Sequence, residues 1–117
     1  MPGSLREITV KELSEKLLAG NKFTLVDVRE TWELSYAHID NALVVNIPMS
    51  QISSLLQDAF PINLRDPDAD IVTMCHHGVR SATVATWMMQ NGWKNVSSLE
   101  GGINAYADQV DPSVGTY

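Results

Sequence analysis

The chain has 117 residues, of which 44% are hydrophobic, a formal net charge of −6 at pH 7 and a single cysteine. This length fits one globular domain over residues 1–117 with one core, and it is too short for a second domain. The acidic charge without any basic cluster argues against a nucleic-acid partner, and the lone cysteine excludes an intramolecular disulfide.

No run of about 18 apolar residues is available to span a membrane. Residues 1–7 lack the charged and apolar regions of a secretory signal peptide. A cysteine without a partner in its own chain agrees with a reducing compartment. We therefore expect a cytoplasmic protein that has no membrane partner.

The first predicted helix begins at a capping box, in which Thr9 is followed three residues later by Glu12. Such a pair satisfies backbone N–H groups that the start of a helix leaves without partners. Leu13, Leu17 and Leu18 follow on one predicted face, and a glycine two residues later ends the pattern. We predict a short helix that packs these leucines in the core.

Residues 23–29 form a nearly continuous apolar run that ends in charge. The pattern is typical of a strand buried on both faces, with its end at a functional edge.

Residues 31–37 favour a short helix. The three tryptophans, Trp32, Trp87 and Trp93, are expected to pack in the core or between helices.

A second strand is predicted over residues 42–47, where a proline closes the apolar run. Ser50 can then cap a helix, because its hydroxyl accepts hydrogen bonds from first-turn N–H groups. That helix would carry Ile52, Leu55 and Leu56.

The second half of the chain repeats the alternation of strand and helix. Strands are predicted over residues 71–74 and 96–99, and helices over residues 82–89 and 103–110. This alternation predicts an α/β layer architecture, with a central, mostly parallel sheet flanked by helices. In such sheets, functional sites lie at the carboxyl ends of the strands.

Cys75 directly follows the predicted strand over residues 71–74 and lies just before the start of a predicted helix. Free backbone N–H groups and the positive end of the helix dipole attract anions there, and nearby arginine and histidine favour the nucleophilic thiolate. A glycine lets successive N–H groups point inward as an anion cradle. The alternative is an inert, buried cysteine, which its polar neighbours disfavour. Cys75 is thus the candidate nucleophile, in a binding loop made of His76, His77, Gly78, Val79, Arg80 and Ser81.

Charged residues near this loop leave two interpretations open. Arg80 could bind an anion or help a donor to dock, or it could form a salt bridge to Asp27 or Glu30 that braces the loop. Asp27, Arg29 and Glu30 are expected to support the site from the end of their strand. His77 could contact substrate or move a proton, or it could simply pack in the loop.

Several segments, taken in order, resemble a single-domain member of the rhodanese homology family of sulfurtransferases. The resemblance covers nearly the whole chain, and it implies the three-layer rhodanese fold. The matching segments are residues 25–30, Trp32-Glu33, His38-Ile39 with Ala42, Asn46-Ile47-Pro48, the loop from Cys75 to Ser81, and Gly101-Gly102-Ile103.

The resemblance also implies the chemistry. Sulfane sulfur would pass from a small anionic donor such as thiosulfate, or from a protein persulfide, through a Cys75 persulfide to cyanide or a thiol, with no cofactor. The alternatives are a non-catalytic binding or regulatory module and a sulfur-relay carrier. A phosphatase or arsenate reductase is disfavoured, because those relatives carry a loop one residue longer, whereas here four residues separate Cys75 from Arg80.

Some positions depart from the family pattern. Ala37, Asn41 and Tyr106 replace frequent Gly, Gly and Trp residues outside the loop. His76 and His77 stand where some thiosulfate-preferring members carry Arg or Lys, which argues against thiosulfate as the physiological donor. Residues 110–114 resemble the end of rhodanese domains that are fused behind adenylating enzymes.

No metal site is expected. Cys75, His76, His77 and His38 include the ligand types that zinc prefers, but three consecutive residues rarely converge on one tetrahedral ion.

Overall fold

The structure is a computed structural model that describes residues 5–117. Residues 1–4 belong to the predicted domain and to the segment in which no signal peptide is expected, and they lie outside the described residues. From residue 5 onward, the helices are too short or too polar to cross a membrane.

The described residues form one five-stranded sheet in the order β1-β5-β4-β2-β3, and each strand pair is parallel. Strands with β-branched and apolar residues on both faces suit such a sheet, because helices cover both sides. The predicted α/β architecture with a central parallel sheet is confirmed. The strands are β1 (Glu7–Ile8), β2 (Thr24–Asp27), β3 (Val44–Asn46), β4 (Ile71–Met74) and β5 (Val96–Leu99).

Helices flank the sheet on both faces and give three layers. The sheet divides the hydrophobic interior into two clusters, not the single core that the sequence predicts. Successive side chains of β2 face opposite sides of the sheet, so Leu25 packs with Leu13 and Ile103 while Val26 packs with Val84. The helices are α1 (Val10–Leu18), α2 (Met49–Leu55), α3 (Val79–Gln90) and α4 (Gly102–Gln109), with 3-10 turns at Thr31–Ser35, Leu56–Ala59, Ile62–Leu64 and Pro112–Val114.

Helix α1 begins as the sequence predicts. The Thr9 hydroxyl accepts from the Glu12 amide at 3.1 Å, and the Glu12 carboxylate accepts from the Thr9 amide at 2.9 Å. Leu13 is fully buried and Leu17 packs against the same core, but Leu18 is 86% exposed. The prediction for Leu18 was wrong, because the next residue along a helix turns about 100° away from the face of its neighbour.

The predictions for Trp32, Leu56 and Ser50 were wrong. Trp32 is 66% exposed on its 3-10 turn, so it is not a core residue. Leu55 is the last residue of α2, as the prediction has it, but Leu56 lies outside the helix, because its φ of 53° turns the chain away; both side chains are exposed. Ser50 is not the cap of α2, since Pro48 occupies that position.

Two of the strands bring the candidate residues together. In the sheet register, Asp27 at the end of β2 lies beside Met74 at the end of β4. The chain leaves β4 directly into Cys75, and it leaves β2 towards Arg29 and the turn at Thr31–Ser35. The candidate site therefore lies at the carboxyl edge of the sheet.

Candidate active site

The Cys75 sulfur accepts hydrogen bonds from two backbone amides of its own loop. The backbone amide of Gly78 donates to Sγ at 3.1 Å and that of Ser81 at 3.3 Å. The thiol in turn lies 3.5 Å from the Ser81 hydroxyl oxygen, and Cys75 is only 1% exposed. Amide groups at the start of a helix suit a negative charge, so this arrangement can stabilise an anionic sulfur.

Gly78 makes the tight turn of the loop possible. Its φ is +103°, and α3 begins directly after it at Val79. A Cβ at this position would lie 3.2 Å from the backbone nitrogen of Gly101. A residue with a side chain would thus be strained and crowded here, and the amide of Gly78 would move away from the sulfur.

The start of α4 closes against the other side of the loop. The amide of Ile103 donates to the Cys75 carbonyl at 2.9 Å, and that of Asn104 donates to the His76 carbonyl at 3.1 Å. This approach requires Gly102, because a Cβ there would lie 2.5 Å from the Cys75 carbonyl oxygen. Helix α4 thereby holds the carbonyl groups of Cys75 and His76, while the amide groups of Gly78 and Ser81 in the loop donate to the sulfur.

Buried hydroxyl groups support the Ser81 end of the loop. The hydroxyls of Ser81 and Ser98 are 2.9 Å apart, and the Thr73 hydroxyl donates to the Ser81 carbonyl at 2.9 Å. These three residues are fully buried. Ser98 and Thr73 were not predicted as site residues; the available signal was a hydroxyl residue within an otherwise apolar strand, where it needs a buried partner.

Arg80 forms a two-pronged salt bridge with Glu33. Its two terminal nitrogens donate to the Glu33 carboxylate at 2.6 and 2.9 Å. These bonds lower the pKa of Glu33 to about 2. They also raise the pKa of Arg80 above its ordinary value. The predicted alternatives named Asp27 and Glu30 as partners; both were wrong, because each is held by a different group.

Asp27 and Arg29 form a buried ion pair at the end of β2. The Arg29 Nη2 donates to Asp27 Oδ2 at 2.7 Å and Nε to Oδ1 at 3.0 Å, and the two side chains are at most 1% exposed. Arg29 also donates to the hydroxyl of Tyr117 at 3.1 Å. Glu30 takes no part in this ion pair; its carboxylate accepts a hydrogen bond from the Ser50 hydroxyl at 2.6 Å.

Three aromatic rings are stacked beside the cysteine. The His76 ring lies between Tyr117, at 3.8 Å and 4° between planes, and His77, at 3.9 Å and 30°. Burial lowers the pKa of His76, and the charge of His77 adds to this effect. His77 itself is exposed, as is Val79. The sequence analysis did not identify Tyr117, because nothing in residues 115–117 marks a contact with the loop.

Across residues 5–117, no group of three His, Cys, Asp or Glu side chains is arranged to hold a metal ion.

The geometry agrees with the comparison to known families. A model of the Rhodanese-like domain matches residues 9–109. This chain belongs to the rhodanese family. It is 32% identical over 115 residues to the thiosulfate sulfurtransferase GlpE of Haemophilus influenzae, and this match covers 97% of the chain and 99% of GlpE.

This rhodanese chain spans only about a third of the length of one of its other curated relatives. It is 34% identical over 116 residues to the Rhodanese-like/PpiC domain-containing protein 12 of Arabidopsis thaliana, covering 97% of the chain and 38% of that protein. Among solved structures, a rhodanese-related protein from Thermoplasma volcanium is 30% identical with a TM-score of 0.71, covering 90% of the chain and 93% of that protein.

Proposed function

We propose that this rhodanese chain is a sulfurtransferase that carries sulfane sulfur as a persulfide on Cys75. In the first half-reaction, the Cys75 thiolate attacks the outer sulfur of a donor and forms a new S–S bond. The donor's own bond to that sulfur breaks, and the rest of the donor leaves with the electron pair, as sulfite or as a thiolate. Covalent catalysis of this kind splits one difficult step into two easier ones.

In the second half-reaction, an acceptor such as cyanide or a thiolate attacks the outer sulfur of the persulfide. The S–S bond breaks and Cys75 leaves as a thiolate, ready for the next cycle. The electrons balance within the two steps, so no external oxidant, reductant or cofactor is required.

The two amide groups that donate to Sγ support this proposal most directly. Gly78 and Ser81 already donate to the sulfur, and the amides of Val79 and Arg80 in the first turn of α3 have no hydrogen-bond partner within residues 5–117. These groups are available to the outer sulfur of a persulfide and to the charge that it carries. One preorganised donor of this type is worth about 3 kcal/mol.

The charge of the loop favours a persulfide as donor over thiosulfate, which is a dianion. Arg80 is already neutralised by its two hydrogen bonds to Glu33, and burial disfavours a charged His76. Within the described part of the loop, no unpaired arginine or lysine is left to balance a second negative charge. A persulfide carries at most one negative charge, so it needs less compensation.

Steady-state kinetics of thiocyanate formation test the proposal. Thiosulfate and a low-molecular-weight persulfide are compared as donors, with cyanide as the acceptor, and Cys75→Ser is the matched control. We expect parallel double-reciprocal lines, a higher kcat/KM for the persulfide and no turnover by the variant. Equal rates for wild type and Cys75→Ser would contradict the proposal and favour a binding module. Hydrolysis of an aryl phosphate at rates above those of sulfur transfer would favour a phosphatase.

A further inference from the structure

One side chain, Tyr117, contacts groups that hold both ends of the Cys75 loop. Its ring lies parallel to the ring of His76, which directly follows the cysteine, at a centroid distance of 3.8 Å. Its hydroxyl donates to Glu33, and Glu33 binds Arg80 near the other end of the loop. Within residues 5–117, no other side chain joins these two positions by a hydrogen bond or a ring contact.

The hydroxyl group of Tyr117 takes part in a continuous polar network. It accepts a hydrogen bond from Arg29 at 3.1 Å and donates one to Glu33 Oε1 at 2.8 Å. The same Glu33 oxygen accepts from Arg80 at 2.9 Å. Arg29 is itself fixed by Asp27, so the tyrosine links the ion pair at the end of β2 to the arginine of the loop.

The segment that precedes Tyr117 is anchored to the rest of the fold. Val114 is buried in the core, and its carbonyl accepts from the His38 amide at 2.9 Å. Gly115 has a φ of +96°, and a Cβ there would lie 2.5 Å from the Tyr36 carbonyl oxygen. Tyr36 also stacks on the Tyr117 ring at 5.7 Å. The position of Tyr117 is therefore set by packing, and Gly115 is needed to reach it.

We infer that Tyr117 is a positioning residue that braces both ends of the Cys75 loop and keeps its amide groups aimed at the sulfur. The inference rests on the proposed function, because it assigns the tyrosine a part in forming and holding the persulfide. Tyr117 acts through His76 and Glu33 and transfers no atoms.

The physical reason is the flexibility of the loop. Gly78 restricts its own backbone less than any other residue would, so the order of the loop depends on contacts made around it. Donors that are aimed before the reaction need no reorganisation during it, whereas a displacement of about 1 Å can cost up to about 100-fold in rate. Loss of the tyrosine should therefore have a larger effect on the rate of sulfur loading than on the free energy of unfolding.

The test compares Tyr117→Phe, which keeps the ring, with Tyr117→Leu, which loses both the ring and the hydroxyl. Gly115→Ala displaces the tyrosine without altering it, and Trp32→Leu is the control, an exposed ring that contacts Tyr36 edge-on at 6.2 Å. Two quantities are measured for each protein. One is the single-turnover rate of sulfur loading from a low-molecular-weight persulfide, and the other is the hydrogen exchange rate of the Gly78 and Ser81 amides.

We expect Tyr117→Leu and Gly115→Ala to load sulfur about tenfold more slowly and to exchange both amides faster, with Tyr117→Phe in between and Trp32→Leu unchanged. Combining Tyr117→Phe with Glu33→Gln should cost less than the sum of the single changes, because the two groups share a network. A role limited to ring packing would contradict the inference: Tyr117→Phe would then load sulfur at the wild-type rate, and its effect would simply add to that of Glu33→Gln.

Two results would overturn the inference. One is a Tyr117→Leu protein that loads sulfur and exchanges its loop amides at wild-type rates. The other is a Trp32→Leu protein that is impaired as strongly as Tyr117→Leu. If the wild type loads no sulfur from any donor, the proposed function fails, and amide exchange alone then decides whether Tyr117 braces the loop.

Discussion

Arg80 and Glu33 are joined by two parallel hydrogen bonds, and this pair ties the loop of the cysteine to the 3-10 turn that follows β2. A bidentate arginine–carboxylate pair is geometrically specific, so it fixes the arginine in one orientation. Glu33 is only 4% exposed as a residue, but the Arg80 side chain is 32% exposed, so salt screens the pair in part. The contact agrees with the predicted bracing role for Arg80, with Glu33 as the partner.

The first prediction concerns acid stability. The pKa of Glu33 falls from 4.5 to about 2 on folding, so this carboxylate stabilises the native state fully above pH about 4.5 and loses its contribution as the pH falls towards 2. The contribution amounts to about 3 kcal/mol. Glu33→Gln should lower the free energy of unfolding at pH 7 and flatten its decline below pH 4.5. Urea unfolding as a function of pH measures this, with the exposed Glu15→Gln as control. An unchanged acid slope in Glu33→Gln would contradict the assignment.

The buried ion pair of Asp27 and Arg29 gives the second prediction. Removing one partner leaves an uncompensated charge at a position with at most 1% exposure. Asp27→Asn or Arg29→Met should each cost about 3–5 kcal/mol of stability, whereas the double variant should cost less than the sum. A double-mutant cycle by chemical denaturation measures the coupling. Additive losses would show that the pair does not act as a unit.

The third prediction compares two glycines with positive φ. A Cβ added at Gly102 would lie against the carbonyls of Cys75 and His76, whereas a Cβ added at Gly92 would meet nothing within 4 Å. Both alanine variants carry backbone strain of about 1–3 kcal/mol, but only Gly102→Ala should push α4 away from the loop and slow sulfur loading. Thermal unfolding and single-turnover loading separate the two effects. Equal loading by the two variants would count against the role of α4.

The fourth prediction concerns the buried hydroxyls behind the sulfur. Ser81→Ala removes the hydroxyl beside Sγ, and Ser98→Ala removes the partner of that hydroxyl. We expect each change to cost about 1–2 kcal/mol, since a buried polar group is lost or left with fewer partners. Ser81→Ala should also slow sulfur loading, and more strongly than Ser98→Ala. The reverse order in loading rates would show that Ser81 does not act directly at the sulfur.

The fifth prediction tests the charge argument for the donor. His77 is exposed and stacks beside His76, so His77→Lys adds a cation at the mouth of the loop without disturbing the core. We expect kcat/KM for thiosulfate to rise several-fold at low ionic strength, and the gain to fade with salt. Gln57→Lys, an exposed change outside the loop, is the control. An equal rise in kcat/KM for thiosulfate in Gln57→Lys would show that the effect comes from net charge alone.

Much of the fold could be predicted from sequence because its signals are local. The capping box at Thr9 and Glu12, the apolar strand before Cys75 and the glycine of the loop act within a few residues of themselves. Their alternation along the chain indicated the parallel sheet, which the structure shows. The place of Cys75 at the edge of that sheet followed from the same pattern.

The contacts around the loop could not be predicted, because they join distant parts of the chain. Glu33 lies 47 residues from Arg80 and 84 from Tyr117, and Ser98 lies 17 residues from Ser81. Local patterns also do not distinguish an apolar residue at the end of a helix from one in its core, as Leu18 and Leu55 show. Only the folded arrangement reveals which charges pair.

The most direct test of the central proposal is the intact mass of the protein after incubation with a low-molecular-weight persulfide and then with cyanide. Wild type and Cys75→Ser are treated in parallel, and peptides are mapped after the first step. The proposal predicts the gain of one sulfur atom on Cys75, its complete removal by cyanide with an equal amount of thiocyanate, and no gain in the variant. A wild-type protein that gains no sulfur, or a variant that gains as much, would contradict it.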